Sequence, residues 1–224
     1  MKLVEAGTFQ MGSTTGESDE SPVHSVTITK DYYMGETEVT KALWKAVTGF
    51  SPTSGGSSWS STNGLGDNYP AYFISYTDVQ SFITKLNSMT GENFRMPTEA
   101  EWEFAARGGN KSKGYTYSGS NTIGDVAWYT SNSSSKTHTV KTKAANELGI
   151  YDMSGNVGEW CSDWYNSSYY SSSPQNDPTG PTTGTNRVLR GGSWCSSATY
   201  CRCAKRDKYT PSYRSYGFGF RLAL

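Results

Sequence analysis

Apolar residues recur at helical spacing in three stretches, all in the first half of the chain. The longest runs from Thr77 to Met89 and is followed by Gly91, a residue type that commonly ends helices. A shorter helix is predicted over Thr40 to Val47. A third is predicted to begin at Thr98, because the Thr98 hydroxyl and the Glu101 carboxylate can form a reciprocal capping box. The predicted buried stripes comprise Val79, Phe82, Ile83, Leu86 and Met89 in the long helix and Leu43, Trp44 and Val47 in the short one.

Alternating or short apolar runs predict β-strands elsewhere, first at Gly7 to Gly12 and at His24 to Ile28. The second half of the chain has no further helical pattern, and its short apolar runs are separated by connections rich in Gly, Ser, Asn and Pro. We therefore predict one loop-rich α+β domain over residues 1–224. Later strands are expected around Tyr151, at Glu159 to Trp164, at Val188–Leu189 and at Phe218 to Leu222, and surface loops at Ser51 to Ser61 and Ser167 to Pro174.

Composition narrows the classes of partner. Lys+Arg and Asp+Glu both number 20 and no long run of like charge occurs, so neither nucleic acid nor an anionic membrane surface is an expected partner. The 16 tyrosines and 7 tryptophans supply large flat side chains for a core and for binding surfaces. No apolar stretch reaches membrane-spanning length, and the first residues do not have the pattern of an export signal. The cysteines show no regular disulfide framework and comprise Cys161, Cys195, Cys201 and Cys203.

Several short motifs are distributed along the chain, and they comprise Gly7–Ser13, Glu38–Thr40, Arg95–Glu103, Gly149–Trp160, Arg187–Trp194 and Gly219–Leu222. In this order they resemble the motifs of the formylglycine-generating-enzyme, or sulfatase-modifying-factor, family. The fold of that family is related to the C-type lectins. The resemblance covers nearly the whole chain and implies an α+β, C-type-lectin-like fold of the formylglycine-generating-enzyme type.

The same resemblance raises an enzymatic alternative. Enzymes of this family carry two copper-binding cysteines shortly after the Gly-Gly-Ser-aromatic motif and oxidise a substrate cysteine. Here Cys195 and Cys201 follow that motif, but five residues separate them, which is a wider spacing than in the enzymes. The sequence therefore favours a protein without a catalytic site. The alternative is a copper-dependent formylglycine-generating oxidase that acts on sulfatase cysteines.

The last segment, residues 187–224, resembles the variable region of diversity-generating-retroelement proteins. In such regions adenine-directed mutation changes scattered positions, while the scaffold positions between them stay fixed. The positions that match the scaffold pattern are Trp194, Ala198, Cys201, Arg202, Ala204, Arg206, Pro211, Arg214 and Gly219 to Arg221. The positions that match the scattered pattern, and that we predict to bind ligand, are Cys195, Ser196, Ser197, Thr199, Tyr200, Lys205, Asp207, Lys208, Tyr209, Thr210, Ser212, Tyr213, Ser215, Tyr216 and Phe218.

The residue types in this tail suit a binding surface. Tyrosine offers a large contact area with few rotatable bonds, and serine and threonine add adaptable hydrogen bonds, as in antibody loops. The alternative interpretation is a polar surface loop with a few packed tyrosines. We also propose that Arg202, Ala204 and Arg206 alternate in an extended segment, with the arginines bonded to backbone carbonyls and with Cys203 and Lys205 on the opposite side.

The resemblance also implies a calcium site, a partner class and a location. Asp152, Gly155, Val157 and Glu159 match positions that hold calcium in the formylglycine-generating enzymes, although Asp152 in a turn and Glu159 bound to backbone amides are an alternative. No other cofactor is expected. The implied partner is a protein or glycan ligand on another cell or surface. The implied location is the bacterial cell surface or outer membrane, with membrane contact only through a lipid anchor outside this sequence.

Overall fold

A computed structural model describes residues 1–52 and 58–224, so the middle of the loop predicted at Ser51 to Ser61 lies outside the described residues. The three predicted helices are confirmed. The Thr98 hydroxyl accepts a hydrogen bond from the Glu101 amide, and the Glu101 carboxylate accepts one from the Thr98 amide, as the sequence predicted. Gly91 ends the longest helix in the left-handed conformation, with φ 75°. The helices are α1 (Lys41–Thr48), α2 (Tyr76–Thr90), α3 (Glu99–Ala106) and α4 (Ile123–Val126), and short 3-10 turns occur at Ser18–Glu20, Gly109–Lys111, Tyr169–Ser171 and Ala198–Cys201.

In the described part of the chain, eight short strands form three separate sheets. Two sheets are antiparallel pairs, β1 with β4 and β2 with β3. The third has four strands in the order β7-β6-β5-β8, in which only β5 and β8 run parallel. The strands are β1 (Lys2–Val4), β2 (Gly7–Met11), β3 (His24–Ile28), β4 (Tyr32–Met34), β5 (Gly158–Trp164), β6 (Arg187–Arg190), β7 (Arg206–Tyr209) and β8 (Phe218–Gly219).

The four-stranded sheet separates two hydrophobic clusters. Neighbouring residues of its strands belong to opposite clusters, because successive side chains of a strand point to opposite faces. Val188 packs with Trp102 of α3 in the first cluster. Leu189 packs with Trp160 and with Phe82 of α2 in the second. The sheet therefore has an α3 face, which packs against α3, and an α2 face, which packs against α2.

Several details differ from the sequence-based expectations. No strand forms around Tyr151, and helical structure does continue after residue 106, in α4 and in short 3-10 turns. The strand expected over Phe218 to Leu222 is only Phe218–Gly219. Leu43 is 38% exposed and Met89 is 59% exposed. Adjacent helix residues lie 100° apart, so Trp44 faces the core while Leu43 does not, and the stripe of α2 extends past the part of the helix that packs. The predicted surface loop at Ser167 to Pro174 contains the buried Tyr170.

Buried carboxyl groups give the stability of this fold a pH dependence. Burial raises the pKa of Asp163 to about 7 and of Asp152 to about 6, and it raises the pKa of Glu38 well above its ordinary value. The folded chain therefore holds protons that the unfolded chain releases above about pH 4. Stability therefore falls as pH rises through this window. The groups that oppose this trend are His138, whose pKa is lowered by burial, and Glu36 and Glu103, whose pKa values are lowered by basic neighbours; the two glutamates act mainly at the acidic end of the window.

We expect the melting temperature to be several degrees higher at pH 5 than at pH 6.5, at about 2–4 °C per kcal/mol. Thermal unfolding followed across this range measures the slope. Asp163→Asn keeps the acceptor for the Glu99 amide and removes one of the three protons, so its slope should be smaller. A melting temperature that rises steadily from pH 5 to pH 6.5 would contradict this expectation.

Candidate ligand-binding site

A depression of about 340 Å³ lies on the α2 face of the four-stranded sheet. All four strands contribute to its lining, through Gly158, Leu189, Asp207, Tyr209 and Phe218. The rest comes from the connections that lead into and out of β7. Ten of the fifteen predicted ligand-binding residues line this one depression, and they are Cys195, Ser196, Ser197, Tyr200, Lys205, Asp207, Tyr209, Tyr213, Ser215 and Phe218.

The tyrosines of the tail do not gather in the interior. Tyr200 is 44% exposed and Tyr213 is 49% exposed. The ring of Tyr213 stacks on Tyr209, with 5.2 Å between the centroids and 13° between the planes. Tyr209 in turn lies 4.5 Å from the ring of Phe218, which is buried in β8. Phe218 therefore packs beneath Tyr209 and Tyr213, while the Tyr200 and Tyr213 side chains are partly open to solvent.

The other five predicted positions lie outside the depression. Thr199, Lys208, Thr210 and Ser212 are exposed beyond its lining. Tyr216 differs from the prediction, because its ring turns into the scaffold and stacks on Phe73 at a centroid distance of 4.9 Å. What any of the fifteen residues binds stays a prediction.

The polar groups of the depression are nearly balanced in charge. One amine, Lys205, and one carboxyl, Asp207, line it, and burial raises the pKa of Asp207. The Lys205 ammonium lies 4.9 Å from the centroid of the Tyr200 ring. Hydroxyl groups supply the remaining polar contacts, including Ser193 and Ser196, whose oxygens are 3.1 Å apart. The arrangement suits hydrogen bonds and aromatic stacking more than recognition of a strongly charged ligand.

Arginines hold the same segment from its other side. Arg190 and Arg206 face α3 and bind Glu99 there; Arg190 also binds Glu103. The guanidinium of Arg206 donates to both Glu99 oxygens, at 2.7 and 2.9 Å. Arg202 binds the buried Glu20 in the same two-bond manner, at 2.6 and 2.8 Å. These side chains bind carboxylates first and carbonyls second, which corrects the prediction of carbonyl contacts alone.

The segment around Arg202 is also less regular than predicted. Residues 198–201 form a 3-10 turn and the Lys205 amide donates to the Arg202 carbonyl, so the extended segment begins only at Arg206. Cys203 therefore does not face outward with Lys205. It is buried, with its thiol 3.6 Å from the Ala106 carbonyl oxygen. Of the four cysteines only Cys195 is exposed.

The sequence profile of the sulfatase-modifying factor enzyme 1-like domain matches residues 1–224 of the chain. The chain belongs to this family. Among relatives of the family, the formylglycine-generating enzyme of Streptomyces coelicolor is 38% identical over 172 residues, which cover 70% of this chain and 52% of that enzyme. The chain thus spans about half the length of that relative.

Two solved structures of the family's fold resemble the whole chain. Treponema denticola variable protein 1 superimposes with a TM-score of 0.87 at 35% identity, covering 100% of this chain and 94% of that one. PvdO from Pseudomonas aeruginosa superimposes with a TM-score of 0.82 at 28% identity, covering 99% and 92%. These matches confirm the predicted α+β fold of the formylglycine-generating-enzyme type and the likeness to a variable protein.

The two carboxylates predicted to bind calcium, Asp152 and Glu159, both accept hydrogen bonds from the protein. Both carboxylate oxygens of Glu159 accept hydrogen bonds from Arg221, and one also accepts from the Trp102 indole. One oxygen of Asp152 accepts from the Lys141 amide. In residues 1–52 and 58–224 no three His, Cys, Asp or Glu side chains are grouped to hold a metal ion. A calcium ion at Glu159 would compete with the buried Arg221 for this carboxylate.

We therefore expect the melting temperature to change by less than about 1 °C between excess calcium and a chelator, because a ligand that binds only the folded state shifts unfolding. Differential scanning fluorimetry with calcium or EDTA measures this. A magnesium titration controls for ionic strength. A stabilisation that saturates with calcium alone would mean that the family's calcium site is kept here.

Sequence reasoning missed the scaffold part of the site. Leu189, Gly191 and Gly192 line the depression, and the carboxylates Glu20 and Glu99 hold its arginines. One signal was available, because Glu99 and Glu103 are one helical turn apart and lie on one side of α3. No local pattern marks Glu20, which is 182 residues from Arg202 in sequence.

Proposed function

We propose that this chain is a ligand-binding protein whose tail residues form a diversified site on a fixed scaffold, without a catalytic site of its own. The observation that carries the proposal is the division between the two faces of β6 and β7. Arg190 and Arg206 point to the α3 face and bind buried carboxylates. Asp207 and Tyr209 point to the opposite face and line the depression. Substitution on one face thus leaves the contacts of the other in place.

The likeness to a variable protein supports the same function. The structure of Treponema denticola variable protein 1 covers the whole chain, including the tail. Aromatic and hydroxyl side chains around the depression provide contact area and adaptable hydrogen bonds. The proposed ligand is a protein or glycan on another cell or surface, held noncovalently.

Removing exposed tail side chains should weaken binding and preserve the fold. We expect the combined substitution of Ser197, Tyr200 and Tyr213 by alanine to shift the melting temperature by less than about 3 °C, because exposed residues contribute little to stability. Arrays of glycans and of cell-surface proteins, probed with the tagged chain, identify ligands. The triple variant should bind such a ligand at least about tenfold more weakly, since aromatic residues dominate binding energies. Equal binding by both chains would place the site elsewhere.

The rival function is a copper-dependent oxidase that uses Cys195 and Cys201, and the formylglycine-generating enzymes among the relatives favour it. Burial raises the pKa of the Cys201 thiol to about 12, which disfavours the thiolate that a metal ion or nucleophilic step requires. Copper titration with a cysteine-containing sulfatase peptide tests this function by mass spectrometry. Peptide oxidation that is lost in Cys201→Ser would establish the oxidase and overturn our proposal.

Diversification and surface display belong to the same proposal. No helix in the described part of the chain is long and apolar enough to cross a bilayer. We propose attachment to the bacterial surface through a lipid anchor outside this sequence. Sequencing of the locus tests diversification: a nearby copy of the region after Trp194, with adenines at the scattered positions, is expected. Changes spread evenly over the whole chain among isolates would argue against it.

A further inference from the structure

The strand β7 has one free edge. Among the described residues β7 pairs only with β6, and it is the outermost strand of its sheet. Asn186, just before β6, points its backbone groups toward β5, because its carbonyl accepts a hydrogen bond from the Tyr165 amide. Successive residues of an antiparallel strand point their backbone N–H and C=O groups to opposite sides. Arg187 and Leu189 therefore point theirs toward β7. Their partners in register are Tyr209 and Asp207. The remaining residues of β7, at positions 206 and 208, direct their backbone groups away from the sheet.

The Lys208 amide confirms this direction. It donates to the side-chain oxygen of Asp207 at 2.8 Å instead of to β6. An outward amide that is held only by a neighbouring side chain can exchange that acceptor for another at small cost. The free edge therefore offers at least one backbone donor and its paired carbonyl, both at Lys208.

A second depression, of about 300 Å³, lies along this edge. Four consecutive residues, from Lys205 to Lys208, line it, and its opposite wall is scaffold outside the tail, including Glu17, Asp19 and Tyr165. It shares Tyr200, Lys205 and Asp207 with the first depression. The edge of β7 thus runs between two depressions, one diversified and one mostly fixed.

We infer that the ligand segment is an extended peptide that adds to the edge of β7 as a further strand. This inference rests on the proposed function and names its ligand class. In an added strand, successive side chains point to opposite faces, which matches one depression on each side of the edge. Side chains on the first face enter the depression walled by Tyr209 and Tyr213. Side chains on the second face lie beside Lys208 and the scaffold wall.

The charge of Lys208 indicates which residue type the peptide carries opposite it. Arg206 binds Glu99, and the Lys205 ammonium is 3.8 Å from Glu17. Among the described residues Lys208 has no carboxylate within 4.0 Å, and its ammonium lies over the Tyr165 ring at 4.3 Å. The nearby Asp19 accepts the Tyr165 hydroxyl. Opposite charges favour cross-strand pairing, so the peptide carries an acidic residue opposite Lys208, with aromatic or large apolar residues on either side of it.

A displayed library of linear heptapeptides, selected on the whole chain, tests the inference. We expect enrichment of an acidic residue flanked on both sides by aromatic or large apolar residues. In synthetic peptides of that pattern, N-methylation of the acidic residue should weaken binding about tenfold, because that amide pairs with the Lys208 carbonyl. N-methylation of either neighbour, whose amide points away from β7, should have little effect.

Two substitutions at Lys208 measure separately how much its side-chain charge and its backbone amide contribute to binding. Lys208→Ala removes the charge and should weaken binding in a salt-dependent manner. Lys208→Pro also removes the outward amide, and an edge strand tolerates it since that amide is not part of the ladder. We expect a further loss of about tenfold from alanine to proline. Lys113→Ala, at an exposed lysine that lines neither depression, is the control. If Lys208→Pro unfolds, the N-methylated peptides decide alone.

The outcomes distinguish this inference from the proposed function. Peptides that need Tyr213 but tolerate both N-methylation and Lys208→Pro bind through side chains only, which overturns strand addition and leaves the binding function intact. If no peptide is enriched but a glycan binds in a manner that requires Tyr213, strand addition is likewise wrong and the binding function stands. If no peptide, glycan or surface protein binds, both the inference and the proposed function are wrong.

Discussion

Replacing Arg206 with alanine should lower the free energy of unfolding by about 3–5 kcal/mol, since the buried Glu99 loses one of its two arginine partners and a large buried side chain is removed. Arg206 is 2% exposed and donates to both oxygens of Glu99 and to the Asp19 carbonyl. At about 2–4 °C per kcal/mol for a chain of this size, the melting temperature should fall by about 10 °C. Chemical denaturation and calorimetry measure both quantities.

Lys208→Ala is the matched control on the same strand. Lys208 is two residues further on, exposed, and makes no ion pair among the described residues. Its removal should change stability by less than about 0.5 kcal/mol. The contrast tests the division between scaffold and diversified positions directly. Equal losses from Arg206→Ala and Lys208→Ala would mean that the diversified positions also support the fold.

Glu159→Gln should lower the free energy of unfolding by a similar amount, about 3–5 kcal/mol, because here a buried arginine loses its carboxylate partner. Arg221 is fully buried and donates to both oxygens of Glu159, and its other donors reach the carbonyls of Gly35 and Tyr151. Glutamine has the shape of glutamate but not its charge, so the buried Arg221 loses the carboxylate that it binds directly. Unfolding in denaturant measures the loss.

A surface pair supplies the control for this second prediction. Asp67 lies 3.0 Å from Lys45, and both side chains are largely exposed. Asp67→Asn should cost no more than about 1 kcal/mol, because solvent screens exposed pairs. A loss in Glu159→Gln no larger than that in Asp67→Asn would mean that the stability of the fold does not depend on the charge pair between Glu159 and Arg221.

The buried ion pairs explain how a binding segment can accept many substitutions. Such pairs contribute little net stability compared with apolar packing, but their hydrogen bonds are directional and costly to break one at a time. Arg190, Arg202 and Arg206 each join the tail to a glutamate from a distant part of the chain. These contacts anchor the main chain of β6 and β7 on the α3 face of the sheet. The other side remains available for variation.

Local chemistry made part of this structure predictable. The caps at Thr98 and Gly91 are formed by residues within a few positions of each other, so their partners can be identified along the sequence. Tyr151 was assigned a strand by its apolar neighbours, but its amide instead donates to the Glu36 carbonyl in an irregular segment. Phe218 and Tyr216 were assigned to the binding surface by the spacing of the tail. Their direction depends on the packing of β8 and Phe73, which no local pattern shows.

The sequence by itself determined the family, the fold class, the three principal helices and the set of residues from which the candidate site is drawn. These depend on motifs, capping residues and apolar spacing, all of which are local in the chain. Only the tertiary structure decided that ten of the predicted positions share one depression, that the arginines bind Glu20 and Glu99, and that β7 has a free edge. Those facts depend on contacts between residues far apart in sequence, where pairing is set by packing and electrostatics in three dimensions.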